Sequence, residues 1–194
     1  SYWRNCIRNS IMSRVGKLLI ANPNFPSVSP FAKTVIYVYQ DDDTVGTVGL
    51  ILNKPVISTV AEFCEDKGII FPDNREPMHK GGPVSNTAII VLHTDDWESS
   101  NTVSIGNRLS ITSDNLMFLK MSMGAVPAYW RAFYGVSAWH PGQLDKEIGG
   151  DMPYVNNMWL TADPTDAILF EYDGQDQWVK AVELCSQQTI DYFF

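Results

Sequence analysis

Residues 34–52 read Thr-Val-Ile-Tyr-Val-Tyr-Gln-Asp-Asp-Asp-Thr-Val-Gly-Thr-Val-Gly-Leu-Ile-Leu, and this stretch decides the fold. Residues 34–40 are a continuous run of β-branched and aromatic side chains, and residues 45–52 are a second apolar run. Both runs have the composition of buried strands, while the acidic residues 41–43 between them interrupt the apolar pattern. The stretch therefore predicts a hairpin of two buried strands.

The sequence predicts a helix after the hairpin, with recognisable signals at its first and last turns. Thr59 and Glu62 have the three-residue spacing of a capping box, in which each side chain binds the backbone N–H group of the other residue. Gly68 is of the residue type that commonly ends a helix. Cys64 falls on the apolar face between these ends, so we expect it in the core.

Short strands dominate the middle of the chain. Residues 88–93, 103–105 and 109–111 are predicted strands, and Gly106-Asn107 suits a tight turn between the last two. Large aromatic side chains alternate along residues 128–137, which predicts a central strand covered on both faces.

Apolar periodicity predicts three further helices, at residues 114–123, 143–148 and 176–184. In the first of them Leu116, Leu119 and Met123 recur at helical spacing, and we expect them in the core. Asp145 and Glu147 lie two positions apart in the second helix, so they point to different faces and should both contact water. The last helix is expected to bury Trp178, Val182 and Cys185 along one stripe, and Pro164 is expected in the first turn of a preceding helical segment.

Length and charge narrow the classes of function. The 194 residues, 45% of them apolar, suffice for one domain with one substantial core. A formal charge of -8 repels polyanions, so direct nucleic-acid binding is disfavoured.

Cysteine usage and hydropathy bear on the compartment. The three cysteines, Cys6, Cys64 and Cys185, are too widely separated for a disulfide framework or a zinc motif, which favours a reducing compartment. Neither a membrane span nor a secretory signal is recognisable. We therefore expect a protein of the cytoplasm that has no membrane partner, and we assign it no metal and no cofactor.

A series of sequence blocks resembles the YqgE/AlgH family in order and spacing. The resemblance covers Gly16 to about Phe170 and implies an α+β fold, in which a strongly bent mixed β-sheet forms an open pseudo-barrel with helices packed outside. It also implies a transcriptional-regulator-like protein without an established reaction. We expect residues 1–15 to be an amino-terminal extension outside the match and residues 16–194 to be a single domain. The blocks are 16–23, 31–35, 49–55, 81–84, 91–93, 112–114, 135–144 and 159–160.

Three positions depart from the family pattern. Lys33 stands where the family usually has arginine, residues 40–42 read Gln-Asp-Asp in place of Glu-His-Asp, and His140 replaces a glycine. Loss of a guanidinium fork and of a histidine would weaken any bidentate anion site at these positions.

The candidate ligand groove is formed by two corners that contain glycine, at residues 80–83 and at residues 139–143. Consecutive glycines between two strands can expose N–H groups as an anion-binding nest, and a strand-to-helix corner that carries an indole and an imidazole can line a pocket. The structural alternative is a tight glycine turn, a packed indole and an amide that binds local backbone, and we favour it. The candidate groove residues are Lys80, Gly81, Gly82, Pro83, His93, Trp139, His140, Gly142 and Gln143.

No complete catalytic set is recognisable. Residues 135–139 approach a nucleophile elbow around Ser137, but Trp139 occupies the place of its second glycine. His79, His93 and His140 lack metal-ligand spacing and are each expected to be satisfied interior or loop residues.

Our leading hypothesis is a non-enzymatic binding or regulatory module, whose partner is a protein or a small molecule. The alternative is a small-ligand or nucleotide-binding protein, or an uncharacterised enzyme, that uses the two glycine corners. A third hypothesis is redox sensing through Cys6, which lies near Arg4 and Arg8.

Overall fold

Ten strands form one curled half-barrel sheet in the computed structural model of the chain, which describes residues 13–152 and 157–194. Within these residues the strands are β1 (Leu18–Ala21), β2 (Val35–Asp42), β3 (Gly46–Ile51), β4 (Pro55–Thr59), β5 (Pro77–Lys80), β6 (Val84–Thr94), β7 (Thr102–Gly106), β8 (Leu109–Thr112), β9 (Trp130–Trp139) and β10 (Trp159–Ala162). The helices are α1 (Val60–Asp66), α2 (Met117–Ser122), α3 (Gln143–Gly149), α4 (Asp166–Phe170) and α5 (Gly174–Phe193). The strand order is β10-β1-β2-β3-β9-β6-β8-β7, and β4 pairs with β5, which adjoins β9.

β9 joins the two halves of the sheet. Its first half pairs antiparallel with β6 and parallel with β5, while its second half pairs antiparallel with β3. The parallel β5–β9 pair makes the sheet mixed, and the predicted central strand is confirmed. The predicted hairpin is also confirmed, because β2 and β3 pair with Tyr37 opposite Leu50.

Both faces of the sheet are covered, which explains the continuous apolar runs of the central strands. One face carries α4 and α5, and its core contains Tyr37, Leu50 and Phe133. The other face carries α1 and α2 over β5, β6 and β9, and α3 over β1, β2 and β3. Cys64 is fully buried in the cluster under α1 and α2, as predicted.

The apolar face of α2 differs from the prediction. Leu116, Leu119 and Met123 are exposed, whereas the residues that face the core are Met117, Phe118 and Met121. The helix begins only at Met117, because Asp114 Oδ1 accepts a hydrogen bond from the Leu116 N–H group and holds the preceding turn open. Apolar side chains lie on both sides of this short helix, so the periodicity of the sequence does not show which side faces the core.

Other element boundaries also differ. β1, β4, β5 and β10 were not predicted, and α5 is longer than the predicted helix at residues 176–184. Pro164 precedes Thr165, the N-cap of α4, and so lies outside the first helical turn. Within residues 13–152 and 157–194, no helix has both the length and the apolar character that crossing a bilayer requires.

Candidate functional site

An open apolar groove lies on the sheet beside α1, and we call it the α1 groove. Its volume is about 690 Å³. Val56, Phe63, Met78, Ile89 and Tyr134 supply its apolar surface. The remaining lining residues are Pro55, Ile57, Ser58, Asp66 and Asn86.

Local interactions fix the wall that α1 contributes. Thr59 Oγ1 accepts a hydrogen bond from the Glu62 N–H group at 3.1 Å, and Glu62 Oε2 accepts one from the Thr59 N–H group at 3.0 Å. This is the predicted capping box, and it is confirmed. Phe63 then packs edge-on against Phe118 of α2, with ring centroids 5.8 Å apart, so its ring is held against the groove.

Two irregular strand segments border the groove. On β4, residues 56–58 stand opposite Met78 alone, because Pro55 pairs with His79 and Thr59 pairs with Pro77. On β6, residues 85–88 stand opposite a single residue of β9. Extra residues bend a strand and leave it locally without ladder partners. The β4 bulge leaves the Ile57 side chain fully exposed at the groove.

Two lysines lie beside the α1 groove, outside its lining: Lys54 precedes the lining residue Pro55, and Lys80 pairs with the lining residue Tyr134. The Lys80 N–H group donates to the Lys54 carbonyl at 2.9 Å, and Lys54 Nζ donates to the Pro30 carbonyl. Burial and the nearby charge of Lys80 both lower the pKa of Lys54. Among the ion pairs of the described residues, none includes Lys54 or Lys80.

The groove residues can bind a ligand but lack a catalytic set. Ser58, Asp66, Asn86 and the hydroxyl of Tyr134 are the polar groups among them. Activation of a serine hydroxyl requires an adjacent base, and no histidine or lysine lines the groove. Within the two described ranges, no cluster of three or more His, Cys, Asp or Glu side chains could hold a metal ion.

A buried polar network, which the sequence did not reveal, holds the start of α5 against the sheet. His79 Nε2 lies 2.8 Å from Asp173 Oδ2, and Asp173 Oδ1 accepts from the Gly174 N–H group at 2.8 Å. Arg131 donates to the Leu52 carbonyl, the Tyr172 carbonyl and Gln177 Oε1 at 2.8–2.9 Å. Burial alone would raise the pKa of Asp173, but the hydrogen bond from His79 and the charges of His79 and Arg131 lower it overall.

At the Gly81–Gly82 corner the chain packs closely against the backbone of β9. The Gly81 N–H group donates to the Tyr134 carbonyl at 2.9 Å, and the Gly81 carbonyl accepts from Ile51 N–H at 2.9 Å and from Ser137 Oγ at 3.1 Å. A Cβ atom on Gly81 would lie 2.4 Å from the Gly135 carbonyl oxygen. The N–H group of Gly81 is therefore used within the sheet, and both glycines pack closely on β9, as the structural alternative predicted, while Pro83 and Lys80 are exposed beside them.

The corner at residues 139–143 also follows the structural alternative. Trp139 is buried and packs edge-on against Trp159, with centroids 5.9 Å apart. Gln143 Oε1 accepts from the His140 N–H group at 3.0 Å, while His140 and Gly142 are exposed. A cavity of about 640 Å³ beside this corner is lined by Asp41, Asp42, Asp43, Asp145 and Arg14, among others, but not by residues 80–83. The two glycine corners therefore do not share this cavity.

His93 lies apart from both corners, which corrects its place in the candidate groove. It pairs with Trp130 on β9, whereas Gly82 packs on Val136, six residues and about 20 Å further along that strand. The His93 ring is fully buried between two hydrogen bonds of 2.7 Å, which join Nδ1 to the Thr94 carbonyl and Nε2 to Thr112 Oγ1. Because a carbonyl only accepts, Nδ1 carries the proton and Nε2 accepts from Thr112. Burial lowers the pKa of His93, and its ring stands edge-on to Trp97 at 5.0 Å.

Glu147 is buried, contrary to the prediction that it contacts water. Its side chain lies on the same face of α3 as Leu144, and Oε1 accepts from Trp159 Nε1 at 3.2 Å. The two-residue spacing correctly separated it from Asp145, which is exposed and pairs with Arg14 at 2.6 Å. What the spacing did not reveal is which of the two faces packs on the sheet.

Asn53 behaves as an interior bridge, and Cys6 lies outside the described residues. Asn53 Oδ1 accepts from the Val35 N–H group, and its Nδ2 donates to the carbonyls of Lys33 and Gly174. This amide therefore joins β2, the end of β3 and α5. The redox hypothesis for Cys6 stays a prediction.

Comparison with known proteins finds relatives of similar length. The sequence profile of the family described as AlgH-like matches residues 18–190. A UPF0301 protein of Ruegeria pomeroyi is 35% identical over 179 residues, which cover 89% of this chain and 92% of that protein. A UPF0301 protein of Proteus mirabilis is 29% identical over 180 residues, with the same two coverages of 89% and 92%. None of these names states a substrate, a partner or a reaction.

Two solved structures share the fold. The solution structure of the AlgH protein from Pseudomonas aeruginosa matches with a TM-score of 0.73 at 25% identity, over 89% of each chain. A crystal structure of a Corynebacterium diphtheriae protein matches with a TM-score of 0.66 at 22% identity, again over 89% of each chain, and supports the fold alone.

Proposed function

The chain belongs to the AlgH-like family, and we propose that it acts as a non-enzymatic binding module whose ligand occupies the α1 groove. One observation carries the proposal, namely an open cavity of about 690 Å³ with an apolar surface and no catalytic set among its lining residues. Binding sites are typically concave and mainly apolar, with a few polar groups that orient the ligand.

The exposure of apolar side chains in the α1 groove supports this proposal. Phe63, Ile89 and Tyr134 are only half-buried although each has neighbours in the core, and Ile57 is fully exposed. Contiguous exposed apolar surface marks interaction sites, because it gains free energy when a partner covers it. A regulatory role would follow from the identity of that partner.

The alternative site at the glycine corners has less support. An anion nest needs free N–H groups, but the N–H group of Gly81 is already bonded, which leaves Lys80 as the cation that this corner offers. The cavity beside Pro141 and Gly142 is lined by four aspartates and one arginine, so it would repel phosphate.

The cysteines bear on the proposed cytoplasmic location. Cys64 and Cys185, the two in the described part of the chain, are both free thiols. Free thiols are typical of a reducing compartment, and they support the proposal of a cytoplasmic protein.

Nile red, a neutral apolar dye, tests the proposed function. We expect its fluorescence to rise with the native protein and to fall severalfold with Ile57→Glu, because a charge at the groove disfavours an apolar ligand. Ile57 is fully exposed, so the substitution should leave the fold intact. The matched control is Val103→Glu at an exposed position of β7, which should retain the signal. Equal dye fluorescence with both variants would contradict the proposal.

A further inference from the structure

We infer that the α1 groove binds the carboxyl-terminal segment of a polypeptide, with the terminal carboxylate at Lys54 and Lys80 and apolar side chains on the groove floor. This inference rests on the proposed function, since it names the ligand of the same site. It draws on the placement of the two lysines, on their unneutralised charge and on the irregular strands beside the groove.

The two lysines adjoin the apolar floor without lining it. Pro55 pairs with His79, so the antiparallel register places Lys54 opposite Lys80, and the 2.9 Å backbone hydrogen bond between them agrees with this. Alternate residues of a strand share a face. Lys80 therefore lies on the face of Met78, two residues earlier on β5, whose side chain lines the groove.

Their charges are uncompensated in the described structure. Like charges directly opposite one another in a ladder destabilise a sheet. The carbonyl of Pro30 satisfies one donor of Lys54 without neutralising its charge. The pKa of Lys54 is lowered, because burial and the charge of Lys80 both disfavour its ionised form. An anion bound beside the two lysines would offset the cost of burying the Lys54 charge and the repulsion from Lys80, because an opposite charge favours the ionised amine.

The borders of the groove favour a polypeptide over a small acid. Residues 56–58 and 85–88 have no paired residue in the described ladders, so backbone groups of irregular strands flank the floor on two sides. An extended peptide presents N–H and C=O groups to such borders and places alternate side chains on the floor. A small ligand would be expected in a more enclosed site, where most of its surface is buried.

Charges on α1 set the direction. Asp66 of α1 lines the groove, and Glu62 and Glu65 are exposed on the same helix. Lys67 lies nearby with its ammonium 5.6 Å from the Phe63 ring centroid, so the excess charge there is negative. A carboxylate is therefore attracted to the lysine pair and repelled by the acidic side chains of α1.

Peptide pools with free and amidated ends test the inference. Labelled pentapeptides, with Leu, Ile, Val, Phe or Met at the last and third-last positions and serine elsewhere, are made once as acids and once as carboxamides. Fluorescence anisotropy should show the acid pool binding about tenfold tighter or more, because a charge-assisted hydrogen bond is lost in the amide. Lys80→Met and Lys54→Met should reduce this preference to about one.

The controls separate this inference from the proposed function. Lys67→Met removes the same charge next to α1, away from the Lys54–Lys80 pair, and should retain the preference for the acid, while melting curves of all variants verify folding. Equal binding of acid and amide to the native protein would overturn the inference and leave the groove a binding site. Binding of decanoate more tightly than the acid pool would replace the peptide by a small carboxylic acid. Failure of both pools and of Nile red would overturn the proposed function as well.

Discussion

Arg131 is a buried cation whose partners lie on three parts of the chain. It reaches carbonyl groups after β3 and before α5, and it also binds Gln177 within α5. Its side chain is 10% exposed. A buried charge is costly unless hydrogen bonds satisfy it, and here the guanidinium fork serves several acceptors at once. Its position within an aromatic strand gave no sign of this role, because the partners are distant in sequence.

Replacement of Arg131 tests the network. Arg131→Met should lower the free energy of unfolding by about 3–5 kcal/mol, because Asp173 loses a neighbouring cation and the carbonyls of Leu52 and Tyr172 lose their donor. Urea unfolding monitored by circular dichroism measures the change. Arg75→Met, at an exposed position, is the control and should change it by less than about 0.5 kcal/mol. Equal effects of the two substitutions would contradict the role of Arg131.

His93 should make stability depend on pH. The unfolded chain binds a proton with the ordinary pKa of 6.5, but burial lowers the pKa in the folded state, so the unfolded state binds more protons below pH 6.5. Stability is therefore lost as pH falls from about 6.5 towards the lowered value, by at most about 1.4 kcal/mol per pH unit. Asp95 and Asp96 oppose the shift.

Urea unfolding at pH 7 and at pH 5 measures this dependence, with His93→Gln as the comparison. The variant should lose less stability than the native protein between these values. Carboxylates such as Asp173, whose pKa is lowered from 3.8, lose their contribution only at still lower pH. An identical loss in the native protein and in His93→Gln would contradict the assignment.

At the scale of elements, α2 offers a direct comparison between its two apolar sides. Met121→Ala should cost about 2–5 kcal/mol, since Met121 is buried among residues of α1, α2 and β5. Leu119→Ala should cost less than about 1 kcal/mol, because Leu119 is exposed. Chemical denaturation of both variants measures the difference. The reverse order would support the face expected from periodicity.

The elements that sequence could predict are those with strong local signals. β2 and β3 are long apolar runs, and α1 has a complete capping box, so these were recognisable. β4 and β5 are short, and each contains a proline, a residue that is rare within strands. Their pairing depends on the neighbouring β9, which is distant in sequence. Register and bulges of this kind have no local signature.

At the scale of the whole molecule, β9 should make the two halves of the sheet unfold together. It pairs with β3 in one half and with β5 and β6 in the other. Native-state hydrogen exchange in increasing urea should show the amides of Ile36 and Leu92 joining one transition. Control amides at the end of α5, such as that of Tyr192, should exchange through local fraying. Opening of β2 at lower urea than β6 would contradict this prediction.

The family and the half-barrel could be predicted from ordered sequence blocks, but the α1 groove could not. Its lining comes from β4, α1, β5, β6 and β9, several of which are distant in sequence, and irregular segments of β4 and β6 border it. The predicted groove instead combined glycines, which the sheet uses for close packing, with His93, which lies in a different part of the core. Exposure of Tyr134 or Ile89 is a tertiary property that residue type does not disclose.

The edge-on contact between His93 and Trp97 has an optical consequence. A protonated imidazole quenches a neighbouring indole more strongly than a neutral one does, and these rings stand 5.0 Å apart. The Trp97 emission should therefore dim when His93 gains its proton. Because the chain has six tryptophans, the part of the emission that Trp97→Phe removes is the internal indicator, through which a fluorimeter could follow this buried titration without any added label.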